Sequence, residues 1–246
     1  MDIGIAIQSW ANHTQLRDAL LASGHFMASG SATHRLTYRI GKTDERTWLD
    51  IVPFGGVQDG SGEIAWPPDQ AVRMNVAGFQ QALDAAVQVK IAADLVVPVA
   101  SLSAQAMLKL MAWQDRHAAD RKDAIDLLFL MSRYAQAGNM DRLYGEDFAL
   151  VERFGHAPDM AGAALLGRDM AVVASDAVRA RLLAIVAPDD AEPLVLTHML
   201  GYRAALFGAE KAQDIAALFD AFRHTFHDAA TWNGQFDARS TQDQQP

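Results

Sequence analysis

Cysteine is absent from all 246 residues, so neither a disulfide nor a thiolate metal site can contribute to the fold or its chemistry. That absence fits a reducing cytoplasm, where the chain is expected to work. Long apolar runs are missing as well, and none approaches the ~20 residues that a bilayer-spanning helix requires. The start shows no charged n-region followed by an apolar h-region, so no secretory signal is expected. Positive charge is in short supply: 21 Lys and Arg stand against 30 Asp and Glu, a net charge of −9. Such a balance argues against broad electrostatic coating of nucleic acid and leaves only a local basic cleft open. No internal repeat or low-complexity tract is present. The segment "QDGSGE" lacks the Lys-Ser/Thr of a phosphate-binding P-loop. The histidines are scattered without metal-ligand spacing, and no Ser/His/Asp triad can be assembled.

What is present is ordinary globular material, half hydrophobic and about a fifth charged, enough for one large domain or two smaller ones. In "MDIGIAIQSW" the isoleucines at 3, 5 and 7 alternate with Asp2, Gly4, Ala6 and Gln8, which predicts a strand with one apolar and one small or polar face. "SWANHTQLRDALLASG" follows as a helix with Ser9 as N-cap and Gly24 at its end. "HRLTYRIG" and "TWLDIVPFG" read as strands joined by the polar turn "KTDER". "GGVQDGSGEIAWPPDQ" is loop-rich. A short helix near "GFQQALDAA" precedes a hairpin of "VQVKIA" and "LVVPVAS".

From Leu102 the period becomes helical. "SLSAQAMLKLMAWQDR" and "DRKDAIDLLFLMSRYAQAG" are the strongest helices, the second capped by Asp120 and stopped by Gly138. Shorter helices are expected over 139–226, broken at "GHAPD", "APDDAEP" and "LFGAEK". The expected class is α+β, a small mixed sheet with flanking helices followed by an all-helical region. The expected division is 1–101, 102–228 and a disordered tail, 229–246.

Asp50 lies inside "WLDIVPF", and an ionised carboxylate in so apolar a strand needs a partner. Alternation puts Trp48, Asp50 and Val52 on one face. The readings open are an Asp at a strand edge, pairing with an arginine such as Arg35 or Arg39, or a bound cation. Asp2 likewise leads an apolar strand on its small-residue face, where Gly4 and Ala6 would leave room for a ligand; taken alone, it reads rather as a frayed, solvated terminus. Two strand carboxylates converging on one point suit a hard dication such as Mg²⁺, which takes few protein oxygens and fills its shell with water and phosphate. Farther on, Lys109 stands in the apolar "MLKLMAW", with Arg116 seven residues along nearly the same face, and Asp123 and Asp126 are spaced i, i+3. Such runs usually form a salt-bridged surface. Lys109 fits that reading poorly, because a lysine among Leu108, Leu110 and Met111 either snorkels or points into a cleft.

Taken together, "DIGIAIQSW", "HRLTYRI", "LDIVPFGG", "EIAWPPD", "MLKLMAWQDR" and "RKDAIDLLFLM" resemble the bacterial nucleotidyltransferases of the AbiEii/AbiGii toxin type, within the polymerase-β-like superfamily. The resemblance runs from Met1 to about Leu166, and the back third matches weakly. It implies a strand bearing Asp-x-Asp, a third Asp on a neighbouring strand, Mg²⁺ held by these carboxylates, and an NTP as substrate. Carried over by residue, the third Asp falls on Asp50, the helical Lys on Lys109 and the later acidic position on Asp123, with Asp126 close by. Asp2 aligns with the second Asp of Asp-x-Asp, so the first would lie immediately before Met1; an alternative register puts Asp2 first and Gly4 in the second place. The start is accordingly expected to be misassigned, with a Gly-Ser or Gly-Gly turn encoded upstream. The implied activity is transfer of NMP from an NTP to RNA, protein or another acceptor. Asp2 and Asp50 would hold the metal, Lys109 and Arg116 would neutralise triphosphate charge, and Asp123 would position Lys109 or the acceptor. A cognate antitoxin is the implied partner. The rival expectation is an inactive nucleotidyltransferase-fold module that binds nucleotide or a protein.

Overall fold

The computed structural model describes residues 2–30, 33–41, 45–187, 193–207 and 209–231. The chain divides into two compact units, Met1–Gln80 and Gln81–Pro246. The expected α+β class holds, with small sheets in front and helices behind.

The first unit is built on a four-stranded sheet. The strands are β1 (Asp2–Ile7), β2 (Phe26–Ala28), β3 (Arg35–Arg39) and β4 (Arg46–Gly55), in the spatial order β1-β4-β3-β2. β1 runs parallel to β4, and the other pairs are antiparallel. Between β1 and β2 lies α1 (Trp10–Ala22). Its start is fixed as the sequence predicts, with the Ser9 N–H donating to Asn12 Oδ1 at 3.1 Å. Past its end Gly24 takes φ +74°, a conformation that favours glycine.

Period-two alternation sorts β4 onto two faces. Leu49 and Ile51 join Leu36 in one apolar cluster, against which Ile5, Leu20, Leu21 and Phe26 pack. Val52 and Phe54 join Ile64, Trp66 and Val76 in the other, with Trp10 and Phe79 packed on it. The second face changes character along β4: Phe54 and Val52 are core, whereas Asp50 and Trp48 leave it toward water. That boundary positions the candidate site.

The loop-rich segment after β4 holds more order than its turn residues suggest. β5 (Glu63–Ala65) and β6 (Arg73–Asn75) form a short antiparallel ribbon in the register Glu63↔Asn75. Arg73 ties it down, donating to Glu63 at 2.7 Å and to Asp59 at 2.6 Å. Asp59 Oδ1 also accepts from the Ser61 hydroxyl at 2.7 Å and from the Ser61 and Glu63 N–H groups. These donors, the Ser61 hydroxyl first, pull its carboxyl down to about 2. A depressed folded value means that the turn's stabilisation is present above the ordinary carboxylate range and lost as pH falls toward 2. A carbon-detected NMR titration is expected to give Asp59 a midpoint near 2, and Ser61→Ala to move it upward. A midpoint at the ordinary Asp value would refute this turn geometry.

The expected hairpin, β7 (Ala86–Ala92) and β8 (Leu95–Ala100), forms and falls in the second unit, not within a first unit reaching 101; α2 (Phe79–Asp84) precedes it across the division. The two strong helices are α3 (Leu102–Arg116) and α4 (Lys122–Arg133). Ser101 caps α3, its hydroxyl accepting from Ala104 N–H at 3.2 Å. Asp120 acts one step differently from a simple cap, because its Oδ1 accepts from Lys122 N–H at 2.8 Å while Arg121 holds the cap position. After α4 the chain makes one wide turn, Ala135–Asn139, and Gly138 breaks it at φ +91°. Next come α5 (Met140–Leu143), α6 (Phe148–Arg153), α7 (Pro158–Val173), α8 (Asp176–Val186), α9 (Leu194–Phe207) and α10 (Ala209–Thr231). The "APDDAEP" break lies mostly outside the described residues. The expected disordered tail from 229 does too, apart from residues 229–231, which belong to α10.

α7 is the centre of this unit. It buries the small residues Ala161, Gly162, Ala163, Ala164 and Gly167, and α10 lays Phe219, Phe222 and Phe226 in the core. Arg142 pins α5 to α7 through Asp169 at 2.8 Å, and Tyr134 donates to the same carboxylate at 2.7 Å. Trp113 Nε1 donates to His198 Nδ1 at 3.1 Å, linking α3 to α9, and His117 stacks on the indole with centroids 4.5 Å apart.

Candidate functional site

Strand register brings Asp2 and Asp50 together. They are Cα partners across the parallel β1–β4 pair, and Arg35 is the Cα partner of Asp50 across β3–β4. Partners in register project to the same face, so Asp2, Asp50 and Arg35 form one row across the sheet. Arg35 clasps Asp50 with both prongs, Nε to Oδ1 and Nη2 to Oδ2, each at 2.6 Å. Its guanidinium also lies 5.3 Å from the centroid of the exposed Trp48 ring. Of the two arginines the sequence offers, Arg35 is the partner and Arg39 lies opposite Arg46.

The electrostatics follow from this fork. The Arg35 guanidinium holds the Asp50 carboxyl below the usual carboxylate range, against the opposing push of partial burial. Asp50, with a smaller contribution from Asp2, in turn raises Arg35. The expected space beside Asp2 is a different matter. A Cβ on Gly4 would meet the Phe54 ring at 3.3 Å and the Phe79 ring at 3.4 Å. The side chain that Gly4 lacks therefore makes room for two core aromatics rather than for a ligand. Open space at this site lies toward Asp2 and Trp48, both exposed.

The donor set can be tested against Mg²⁺. Among the described residues no group of three or more His, Cys, Asp or Glu converges. An all-protein metal cage is thus not built from them. Mg²⁺ rarely uses such a cage; one or two carboxylates suffice when substrate phosphates complete its shell. Each carboxylate offers about four lone-pair sites, so the Arg35 fork leaves Asp50 further capacity to accept. Asp2 and Asp50 fit a metal that arrives with phosphate.

The second unit gathers the remaining candidates on a helical hairpin. Lys109 and Arg116 lie on one stripe of α3, and Asp123 and Asp126 on the facing stripe of α4. Arg116 binds Asp123 bidentately at 2.6 and 2.8 Å. Lys109 donates to Asp126 at 2.5 Å and reaches Asp123 at 3.4 Å. Asp123 is fully buried, whereas Lys109 and Arg116 stay partly exposed. Burial pushes the Asp123 carboxyl up, but the Arg116 bond and the charges of Arg116 and Lys109 outweigh it and leave it below its ordinary value. Lys109 thus neither snorkels nor stands free, since its ammonium is held between two carboxylates of the next helix. The structure brings Asp2 and Asp50 together in one unit and Lys109, Arg116, Asp123 and Asp126 in the other. Arg35 is the residue that the sequence signals least, visible only as one of two arginines near Asp50.

The first unit thus carries two in-register strand carboxylates, and the second a helical Lys–Asp cluster. A family model described as "Nucleotidyl transferase AbiEii toxin, Type IV TA system" matches residues 1–238, and the chain belongs to this family of nucleotidyltransferase toxins. No curated protein and no solved structure matches it. Among the described residues no helix is long and apolar enough to cross a membrane.

Proposed function

We propose that the chain is a cytoplasmic, Mg²⁺-dependent nucleotidyltransferase moving a nucleoside monophosphate from an NTP to an acceptor hydroxyl on RNA or protein, under the control of a cognate antitoxin. The observation that carries this reading is the in-register row of Asp2 and Asp50, found in a chain that matches a nucleotidyltransferase family over nearly its whole length. Asp2 and Asp50 would hold Mg²⁺, which when bound supplies charge neutralisation at the phosphates and lowers the cost of deprotonating the acceptor. The acceptor hydroxyl gives its proton to water as its oxygen bonds the α-phosphorus, the bridge to the β-phosphate breaks, and pyrophosphate leaves with the electron pair. By the family resemblance Lys109 and Arg116 would supply positive charge for the triphosphate, and within the helical unit Asp123 holds both cations in place.

A second reading has its own observation: both oxygens of Asp50 are already bonded to Arg35, as in an inactive module that binds nucleotide without turnover. Calorimetric titration with Mg²⁺·NTP, together with label transfer from an α-phosphate-labelled NTP, separates the two. Binding is expected, with transfer that Asp50→Asn abolishes. Lys109→Met removes a charge-assisted contact of about 1.5–3 kcal/mol and should weaken nucleotide binding ~10- to 150-fold. Binding without transfer favours the inactive module. Equal affinity in wild type and Lys109→Met would remove Lys109 from the site.

A further inference from the structure

We propose that Arg35 is the resident counter-cation of the Asp2–Asp50 pair, and that it makes the site accept a divalent cation as a nucleotide complex in preference to the free ion. The inference rests on the metal site described above and adds a selectivity to it. Two carboxylates in register on neighbouring strands repel each other, and a third residue of the same row, Arg35, offsets that repulsion. It does so with a fork at 2.6 Å on each oxygen of Asp50, braced against the Trp48 ring, which makes it a fixture of the site rather than a wandering surface charge. A guanidinium stays protonated at any working pH, so this positive charge is permanent. The row therefore carries one net negative charge, not two.

A free dication entering such a site meets a weakened attraction and a fixed cation beside one of its two ligands. A metal–triphosphate complex is itself a net anion, so the same guanidinium attracts it and has phosphate oxygens to bond. Arg35 is a positioning and selectivity residue on this account: it penalises the bare ion and favours the complex. Lysine could supply the charge but not the planar fork that clasps both oxygens.

The test is calorimetry on the full chain with two probes: MgCl₂ alone, and Mg²⁺ with an α,β-methylene nucleoside triphosphate analogue. Arg35→Gln should bind free Mg²⁺ about tenfold tighter than wild type and the nucleotide complex about tenfold more weakly, reversing the preference. Adding Asp50→Asn to Arg35→Gln should abolish the gained Mg²⁺ affinity, which locates it at this carboxylate. A structural role alone would lower both affinities together, and that result would overturn the proposal, as would unchanged affinities in folded Arg35→Gln. A measurement on the wild-type chain stands independently of any folding defect in that variant. The Arg35 Nε–H resonance, assigned with Arg35→Lys, should keep its shift with Mg²⁺ alone and move with the nucleotide complex. Movement with Mg²⁺ alone would overturn the selectivity. Wild type that binds no nucleotide complex would overturn the nucleotidyltransferase reading and this inference with it, whereas nucleotide binding with an unaltered preference in Arg35→Gln overturns only the role of Arg35.

Discussion

Replacing Gly167 by alanine is expected to cost the helical unit ~3 kcal/mol or more, read as a lowered urea midpoint at unchanged m-value. By propensity alone the change should help, since alanine in a helix interior is favoured over glycine by about 1 kcal/mol. Packing reverses the sign. A Cβ at position 167 would overlap the carbonyl oxygen of Phe222 on α10, and would lie 3.1 Å from both the Phe222 carbonyl carbon and the Phe226 nitrogen. These are backbone atoms of a long helix and cannot rotate away as a side-chain tip would. The two helices must separate, and that loosens Phe219, Phe222 and Phe226, all fully buried. Gly60→Ala provides the contrast. A Cβ there meets nothing within 4 Å, and the change should be neutral or stabilising by about 0.4–1 kcal/mol. Identical midpoints for Gly167→Ala and wild type would show that α7 and α10 do not approach so closely.

Asp123→Ala should be the next most damaging change, at about 2–3 kcal/mol. Asp123 is a buried carboxylate holding the Arg116 guanidinium bidentately and sharing the Lys109 ammonium with Asp126. Removing it takes the bidentate carboxylate from Arg116 and leaves Lys109 with Asp126 alone of the two. The loss stays below the ~3–5 kcal/mol typical of broken buried pairs, because Arg116 and Lys109 are partly exposed and can turn toward water. The effect also depends on pH, with a definite sign. The Asp123 carboxyl sits below its ordinary value in the folded chain, so its stabilisation is complete above the unfolded value of about 3.9 and disappears as pH falls through the folded one. The stability gap between wild type and Asp123→Ala should therefore be constant at neutral pH and close in acid. Asp123→Asn, which keeps the volume, should show the same closing gap. A gap independent of pH would mean that packing rather than charge accounts for the loss.

Much of this arrangement could be read before any coordinates. Asp50 is visible because its neighbours are apolar, and the Lys109–Arg116 stripe because seven residues is nearly two helical turns. The identity of Asp50's partner was not legible. Arg35 and Arg39 have the same parity in β3, so alternation places both on one face, and only strand register decides between them. The carboxylates that receive Lys109 and Arg116 depend on the turn between α3 and α4, which spacing within each helix does not encode. Small residues at Gly4 and Ala6 showed that something fits against β1, but not that Phe54 and Phe79 are what fit at Gly4. The β5–β6 ribbon was hidden for a simpler reason, because three-residue strands are too short to show a period.

The packed rings of Trp113, His117 and His198 have an optical consequence. Trp113 is almost fully buried, and its indole donates to a ring nitrogen of His198 that can accept only while unprotonated. Burial, with the charges of Arg121 and His117, lowers the pKa of that imidazole and favours its neutral form. Fluorescence from Trp113 should accordingly be short in wavelength and quenched in acid once His198 takes a proton. Trp10, Trp48 and Trp66 lie in the other compact unit and Trp232 lies beyond the described residues, so the Trp113→Phe difference spectrum is what isolates the emission of the buried indole. The chain thus carries its own probe for observing that unit separately.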